Sequence, residues 1–155
     1  MGYTTMFCGQ VVVGPPLSAE EVVYLNKFAE TRRMRCLQGP YYVDRGGLGG
    51  QSRGDDVLDY NCPPEGQPGL WCHWVPIEDG SAIEWDGGEK FYNAATWMKY
   101  LIDHFIGDTP LGRTELPFLS GHICNGNLSA HGEDPDDRWK LIVENNQVFV
   151  RPEND

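Results

Sequence analysis

The chain of 155 residues, 40% apolar and 23% charged, is long enough for one domain that buries its own core. Its formal net charge of -11 opposes phosphate backbones and anionic bilayers, so neither direct nucleic-acid binding nor membrane attachment is expected. Five cysteines (Cys8, Cys36, Cys62, Cys72 and Cys124) form an odd set without a Cys-x-x-Cys pair, and the N-terminus lacks the charged and apolar parts of a secretory signal, which points to reduced thiols and a cytoplasmic setting.

Residues 3–13 are rich in β-branched and aromatic side chains and predict a strand that Gly14-Pro15-Pro16 ends. Ser18 then stands as an N-cap with Glu21 three residues on, and Leu17 and Val22 are spaced as a hydrophobic staple. The helix they open carries Val22, Leu25, Phe28 and Ala29 on one face and fades near Met34. Residues 38–69 hold eight glycines and four prolines without a clean period. They predict a long irregular loop of the kind that often carries function, within which 40–44 and 56–60 are short enough to pair onto a sheet.

Residues 70–77 and 81–85 flank Glu78-Asp79-Gly80 and predict a hairpin. Alternation puts Leu70, Cys72 and Trp74 on one face and Trp71, His73 and Val75 on the other. Asp86 and Glu89 make a second capping pair before a helix with Phe91, Ala95, Met98, Ile102 and Phe105 in register, closed by Gly107 and Pro110. The last third predicts a meander. Residues 118–124 and 127–131 are joined by Asn125-Gly126, and 139–144 and 147–151 by Asn145-Asn146. The second turn pairs Val143 with Val148 and Leu141 with Val150 toward the core, and turns Ile142 and Phe149 to the opposite face. The fold class is α+β: a mostly antiparallel sheet, two helices, a C-terminal β-meander and the loop at about 38–69.

Charge is distributed unevenly. Six of the twelve Lys and Arg residues lie between Lys27 and Arg53, opposed there only by Glu30 and Asp44. Arg32, Arg33 and Arg35 lie in the last turn of the first helix, and Arg45 and Arg53 bracket the glycine run at 46–50, with Tyr41 beside them. Glycines let backbone N–H groups converge and guanidinium forks grip phosphate or carboxylate, so these six residues are the candidate ligand-binding set. A helix C-terminus and an acidic body account for the same arginines without any ligand. Neither a P-loop nor a dinucleotide fingerprint is present.

Other chemistry is thinner. No metal or cofactor is expected, since Cys72, His73, His122, Cys124 and His131 lack zinc spacing and the acidic run 133–137 lacks calcium-loop order. There is no Gly-x-Ser-x-Gly elbow, which leaves Cys62 or Cys72 with His73, His104 or His122 as the thiol–imidazole option. Acid–base work would fall to Asp55 with Asp56 or to Glu84 with Asp86. Trp71, Trp74, Trp85, Trp97 and Trp139 are spaced for the core, with one or two, beside Tyr41 and Tyr42, free to stack on a ligand ring.

Several strings resemble a group of small bacterial and phage proteins of unknown function: Met1-Gly-Tyr-Thr-Thr, Pro15-Pro-Leu, Glu30-Thr-Arg-Arg-Met, Gly66-Gln-Pro-Gly-Leu-Trp-Cys with Trp74 and Pro76, and Glu84-Trp-Asp-Gly-Gly-Glu-Lys-Phe-Tyr-Asn. The similarity runs from residue 1 to about 106, with Gly132-Glu-Asp-Pro-Asp-Asp as a further fragment. The resemblance implies a soluble accessory intracellular protein of bacterial or phage origin and brings no activity with it. The leading expectation is a non-enzymatic binder of a small anionic ligand, a phosphorylated metabolite or nucleotide, or of an acidic partner surface. An acidic inhibitor or adaptor for a basic or nucleic-acid-binding protein, and a small Cys/His hydrolase or transferase, stand beside it.

Overall fold

Helix α1 (Ala19–Glu30) begins where its capping signals place it. In the computed structural model Ser18 Oγ accepts the Glu21 N–H at 3.2 Å and the Ser18 N–H returns to Glu21 Oε1 at 2.9 Å, satisfying two donors at the helix start. The structure describes residues 3–31, 33–37, 39–43, 57–59, 61–89 and 91–153. Among them no helix is long and apolar enough to cross a membrane.

The fold is α+β. Strands β1 (Met6–Gly14), β4 (Trp74–Pro76), β5 (Ala82–Trp85), β6 (Ile123–His131), β7 (Arg138–Glu144) and β8 (Gln147–Pro152) form an antiparallel sheet in the order β4-β5-β1-β6-β7-β8, while β2 (Arg35–Cys36) and β3 (Val57–Asp59) pair as a separate ribbon. The segment at 57–59 therefore pairs with the chain just past α1 and not with the main sheet. Helix α1 and helix α2 (Ala94–Leu101) pack on one sheet face over Phe7, Val11, Val13, Leu128, Leu141 and Val143. Phe28, Trp74, Trp97 and Phe105 are fully buried among them. Each such aromatic removes about 150–250 Å² from water, so this layer dominates the stabilisation of the fold.

The meander is confirmed, with three strands where four are expected. The turn at Asn145 and Asn146 has positive φ at both residues, and its register pairs Val143 with Val148, Leu141 with Val150 and Ile142 with Phe149 as anticipated. Asn125-Gly126 makes no turn: both residues lie inside the continuous strand β6. Asn125 Oδ1 accepts the Asn145 N–H at 2.9 Å, clasping the neighbouring hairpin, and Gly126 lies against β1, where a Cβ would come within 2.5 Å of the Gln10 carbonyl oxygen. Gly126→Ala should therefore lower stability by about 1–3 kcal/mol in chemical denaturation, because the obstacle is backbone that cannot rotate away.

The second helix is also shorter than its periodicity suggests. It starts at Ala94, behind an Asn93 held in the left-handed conformation, and runs into a π-helical turn, Ile102–Ile106, closed by the Gly107 N–H on the Ile102 carbonyl at 2.7 Å. The wider turn accommodates an extra residue, so Ile102, Phe105 and Ile106 are all buried. Asp86 does not cap this helix; its carboxylate is engaged by His73.

Candidate functional site

Strand alternation before β4 sends Cys72 and Trp74 into the core and leaves Trp71 and His73 on the outside. Cys72 is fully buried, its thiol on the Trp74 carbonyl, and burial pushes it up to about 12, which keeps it a protonated, unreactive thiol. Trp71 is the one tryptophan of the five that is exposed, at 37%.

Trp71 lines a cavity of about 800 Å³ together with Leu70, His73, Glu89, Tyr92 and Asn93. This is the size of a small-molecule site. Tyr92 is 57% exposed, so two large aromatic side chains stand at this opening instead of in the core. Proline residues at 63 and 68 give the same cavity stiff apolar walls.

His73 is held firmly in it. Its Nδ1 lies 3.0 and 3.1 Å from the two Asp86 oxygens, and the Gly88 N–H donates to Asp86 Oδ1 at 2.7 Å, fixing the carboxylate in turn. Gly88 approaches so closely that a Cβ would sit 2.3 Å from Nδ1 and 2.4 Å from Cε1, and Phe91 packs edge-on at 5.0 Å. With Nδ1 donating to Asp86, Nε2 is the ring nitrogen left for a ligand; among the described residues it makes no hydrogen bond. Opposite, Asn93 pays a strained backbone (φ 60°, ψ 39°) and anchors its Nδ2 to the Pro68 carbonyl at 2.9 Å. Non-glycine residues in that region cluster at functional sites.

A smaller cavity of about 220 Å³ lies against the same chain segment. It is lined by Arg35, Gly39, Pro40, Leu58, Pro64 and Glu65, so residues 61–65 contribute to both spaces. Arg35 is exposed and forms no ion pair among the described residues.

Of the other expected ligand residues, the structure describes Arg33 and Tyr41. Arg32, Arg45 and Arg53, with the glycine run 46–50 and Asp55 and Asp56, lie outside the described residues. Arg33 is buried: its guanidinium carbon stands 4.0 Å over the Phe28 ring, Nη2 donates to the Pro40 carbonyl at 2.6 Å, and Gln67 Nε2 donates to the Arg33 carbonyl at 2.8 Å. It braces the chain after α1. Tyr41 is half-buried, with its hydroxyl 2.6 Å from His104 Nδ1, and Tyr24 donates to the Tyr41 carbonyl. Burial pushes the Tyr41 phenol up and the His104 imidazole down, so the neutral ring accepts from the hydroxyl while Tyr100 stacks on it at 4.0 Å.

A second histidine site is closed to ligands. His122 Nε2 lies 2.9 Å from Glu21 Oε2, Nδ1 lies 2.6 Å from the Pro15 carbonyl, and Ser120 Oγ donates to Glu21 Oε1 at 3.2 Å. The Ser–His–Glu set has the residue types of a hydrolase triad but both His122 and Glu21 are buried, with no room for a substrate. It ties α1 to β6. Among the described residues no group of three or more His, Cys, Asp or Glu is placed to hold a metal ion.

No family model, curated protein or solved structure matches this chain.

Proposed function

We propose that this chain is a non-enzymatic binding protein for a small ring-bearing phosphorylated ligand, of the nucleotide class. The observation that carries this reading is the cavity of about 800 Å³ flanked by the exposed rings of Trp71 and Tyr92. Flat rings stack on such side chains whatever their substituents, and His73 Nε2 and the Asn93 amide supply directional polar contacts. Glu89 in the lining disfavours a phosphate inside the cavity. The reading assigns the anionic end to Arg35, which faces the smaller cavity with Glu65 across it and lies in the window where the sequence concentrates cations. An accessory role in a bacterial or phage-infected cytoplasm is part of the same proposal.

Calorimetric titration with purine and pyrimidine nucleotides tests it. Stacking is worth about 1–3 kcal/mol per base, so Trp71→Ala and Tyr92→Ala should each weaken binding by roughly five- to 150-fold. Arg35→Glu should weaken nucleotides and leave nucleosides unchanged. If neither nucleosides nor nucleotides bind the unmutated protein, the reading is wrong. Binding that survives both aromatic substitutions removes the cavity from it.

A further inference from the structure

The sheet has a second face that the helices do not cover. Its outward residues run in cross-strand rows: Cys8, Ser129, Lys140 and Arg151 form one, and Gln10, Asn127, Ile142 and Phe149 the next. Met6, Val12, Ile123 and Phe149 on this face are all exposed. Lys140 and Arg151 are direct partners, and like charges placed opposite each other on neighbouring strands repel. In a chain with 23 acids and 12 Lys and Arg residues, neither of the two forms an ion pair among the described residues. The row of Met6, His131 and Arg138 differs: His131 lies 3.9 Å from Glu153, and Arg138 donates its Nε to the Pro135 carbonyl at 3.1 Å.

The row of unneutralised charge ends on an edge strand. Nothing among the described residues pairs with the far side of β8. The two-residue turn makes Glu144 and Gln147 a hydrogen-bonded pair, so by alternation residues 142 and 149, and 140 and 151, are hydrogen-bonded pairs too. The backbone N–H and C=O groups of Val148 and Val150 therefore point away from β7. Pro152, in a position that donates nothing to β7, ends the usable edge. A charge on an edge strand can serve to discourage aggregation, but here Phe149 and Val150 beside it stay exposed, at 44% and 55%.

We propose that β8 is a docking edge for an acidic, extended segment of a partner protein, added as a seventh strand. Val148 and Val150 supply the main-chain hydrogen bonds. A partner carboxylate falls opposite Arg151, and an apolar partner residue two positions along falls opposite Phe149, continuing both rows. A second copy of this chain fits less well. Antiparallel pairing of two β8 strands through Val148 and Val150 sets Arg151 opposite Gln147, which leaves the cation unmatched and brings two chains of net charge -11 together. Nucleic acid would use the two cations but neither the backbone rungs nor the apolar row.

The test uses the full chain and a fluorescein-labelled peptide of alternating Glu and Val, with the matching Lys–Val peptide and a thymidine oligonucleotide as the other arms. Anisotropy should show binding of the Glu peptide alone. Reversing the charges in a Lys140→Glu, Arg151→Glu double variant should shift preference to the Lys peptide, with at least about a tenfold change in the ratio of affinities. Val150→Pro, which removes an edge N–H, should abolish binding of either peptide while circular dichroism confirms the fold. The proposal is overturned if the Glu peptide fails to bind at millimolar concentration, if the charge-reversed protein keeps the original preference, if only the oligonucleotide binds, or if light scattering shows a dimer that Val150→Pro dissolves. Lys140 and Arg151 lie outside the Trp71–Tyr92 cavity, so nucleotide titrations of the same variants separate this surface from the ligand site.

Discussion

Glu21→Ala is expected to destabilise the protein by about 3–5 kcal/mol, the range for breaking a buried charge pair from one side. Glu21 is completely buried, and its carboxylate closes the α1 cap while receiving His122 and Ser120 from the segment before β6. His122 Nδ1 lies 2.6 Å from the Pro15 carbonyl, and its Nε2 lies 2.9 Å from the carboxylate. Removing the carboxylate leaves that ring buried and unmatched. Urea unfolding at neutral pH measures the loss, and Glu20→Ala, exposed in the same first turn, should change stability by less than about 0.5 kcal/mol. The Glu21→Ala, His122→Ala double variant should cost less than the two single changes added together. A single-variant loss below about 1 kcal/mol would place the pair with exposed salt bridges and refute the account.

The same carboxyl sets an acid limit. Burial raises Glu21, but the Ser18 and Ser120 N–H groups and His122 outweigh it, so the folded group titrates below its ordinary 4.5. An unfolded chain therefore takes up this proton first as pH falls. The stabilisation is complete above about 4.5 and disappears as pH drops through the lower folded value, a slope that Glu21→Ala should flatten.

Phe28→Ala should cost a similar amount, about 3–5 kcal/mol, for a different reason. The Phe28 ring is fully buried between Trp97, Tyr100 and Phe105, at centroid distances of 6.0, 6.3 and 5.0 Å, and none of these can collapse far into the space it leaves. Its face also carries the Arg33 guanidinium. Phe28→Leu keeps much of the volume and removes only the aromatic face, so it should cost about 1–2 kcal/mol, the cation–π share included. Denaturant midpoints for the two variants separate packing from the cation–π contact; equal losses would mean that the ring face and not the filled volume carries the effect, and no loss for Phe28→Leu would mean that the ring face contributes nothing.

Features decided by neighbours in the chain were legible. Ser18 with Glu21 specified the start of α1, and Asn145-Asn146 specified both a turn and the register of β7 on β8, because each rests on contacts a few residues apart. Features decided across the fold were not. Asn125-Gly126 has turn chemistry, yet β1 on one side and the Asn145 N–H on the other hold it extended. Arg33 has the composition of an exposed helix end, and only the position of Phe28 and Pro40 makes it a core residue. The candidate cavity lay between these cases. The alternation that buries Cys72 and Trp74 also points Trp71 and His73 outward, a signal present in the strand pattern; that Tyr92 would stand at the same opening depends on where α2 begins.

Strand β1 has a further consequence for how the chain reaches this fold. It precedes the other strands in the chain but occupies the interior of the sheet, and its partners are residues 82–83 on one side and 123–131 on the other. Neither flank can be satisfied until about 70 residues beyond β1 have emerged, and the second needs more than 100. Until then a strand with two open edges has to be kept from other chains, because both of its partners are distant in the sequence.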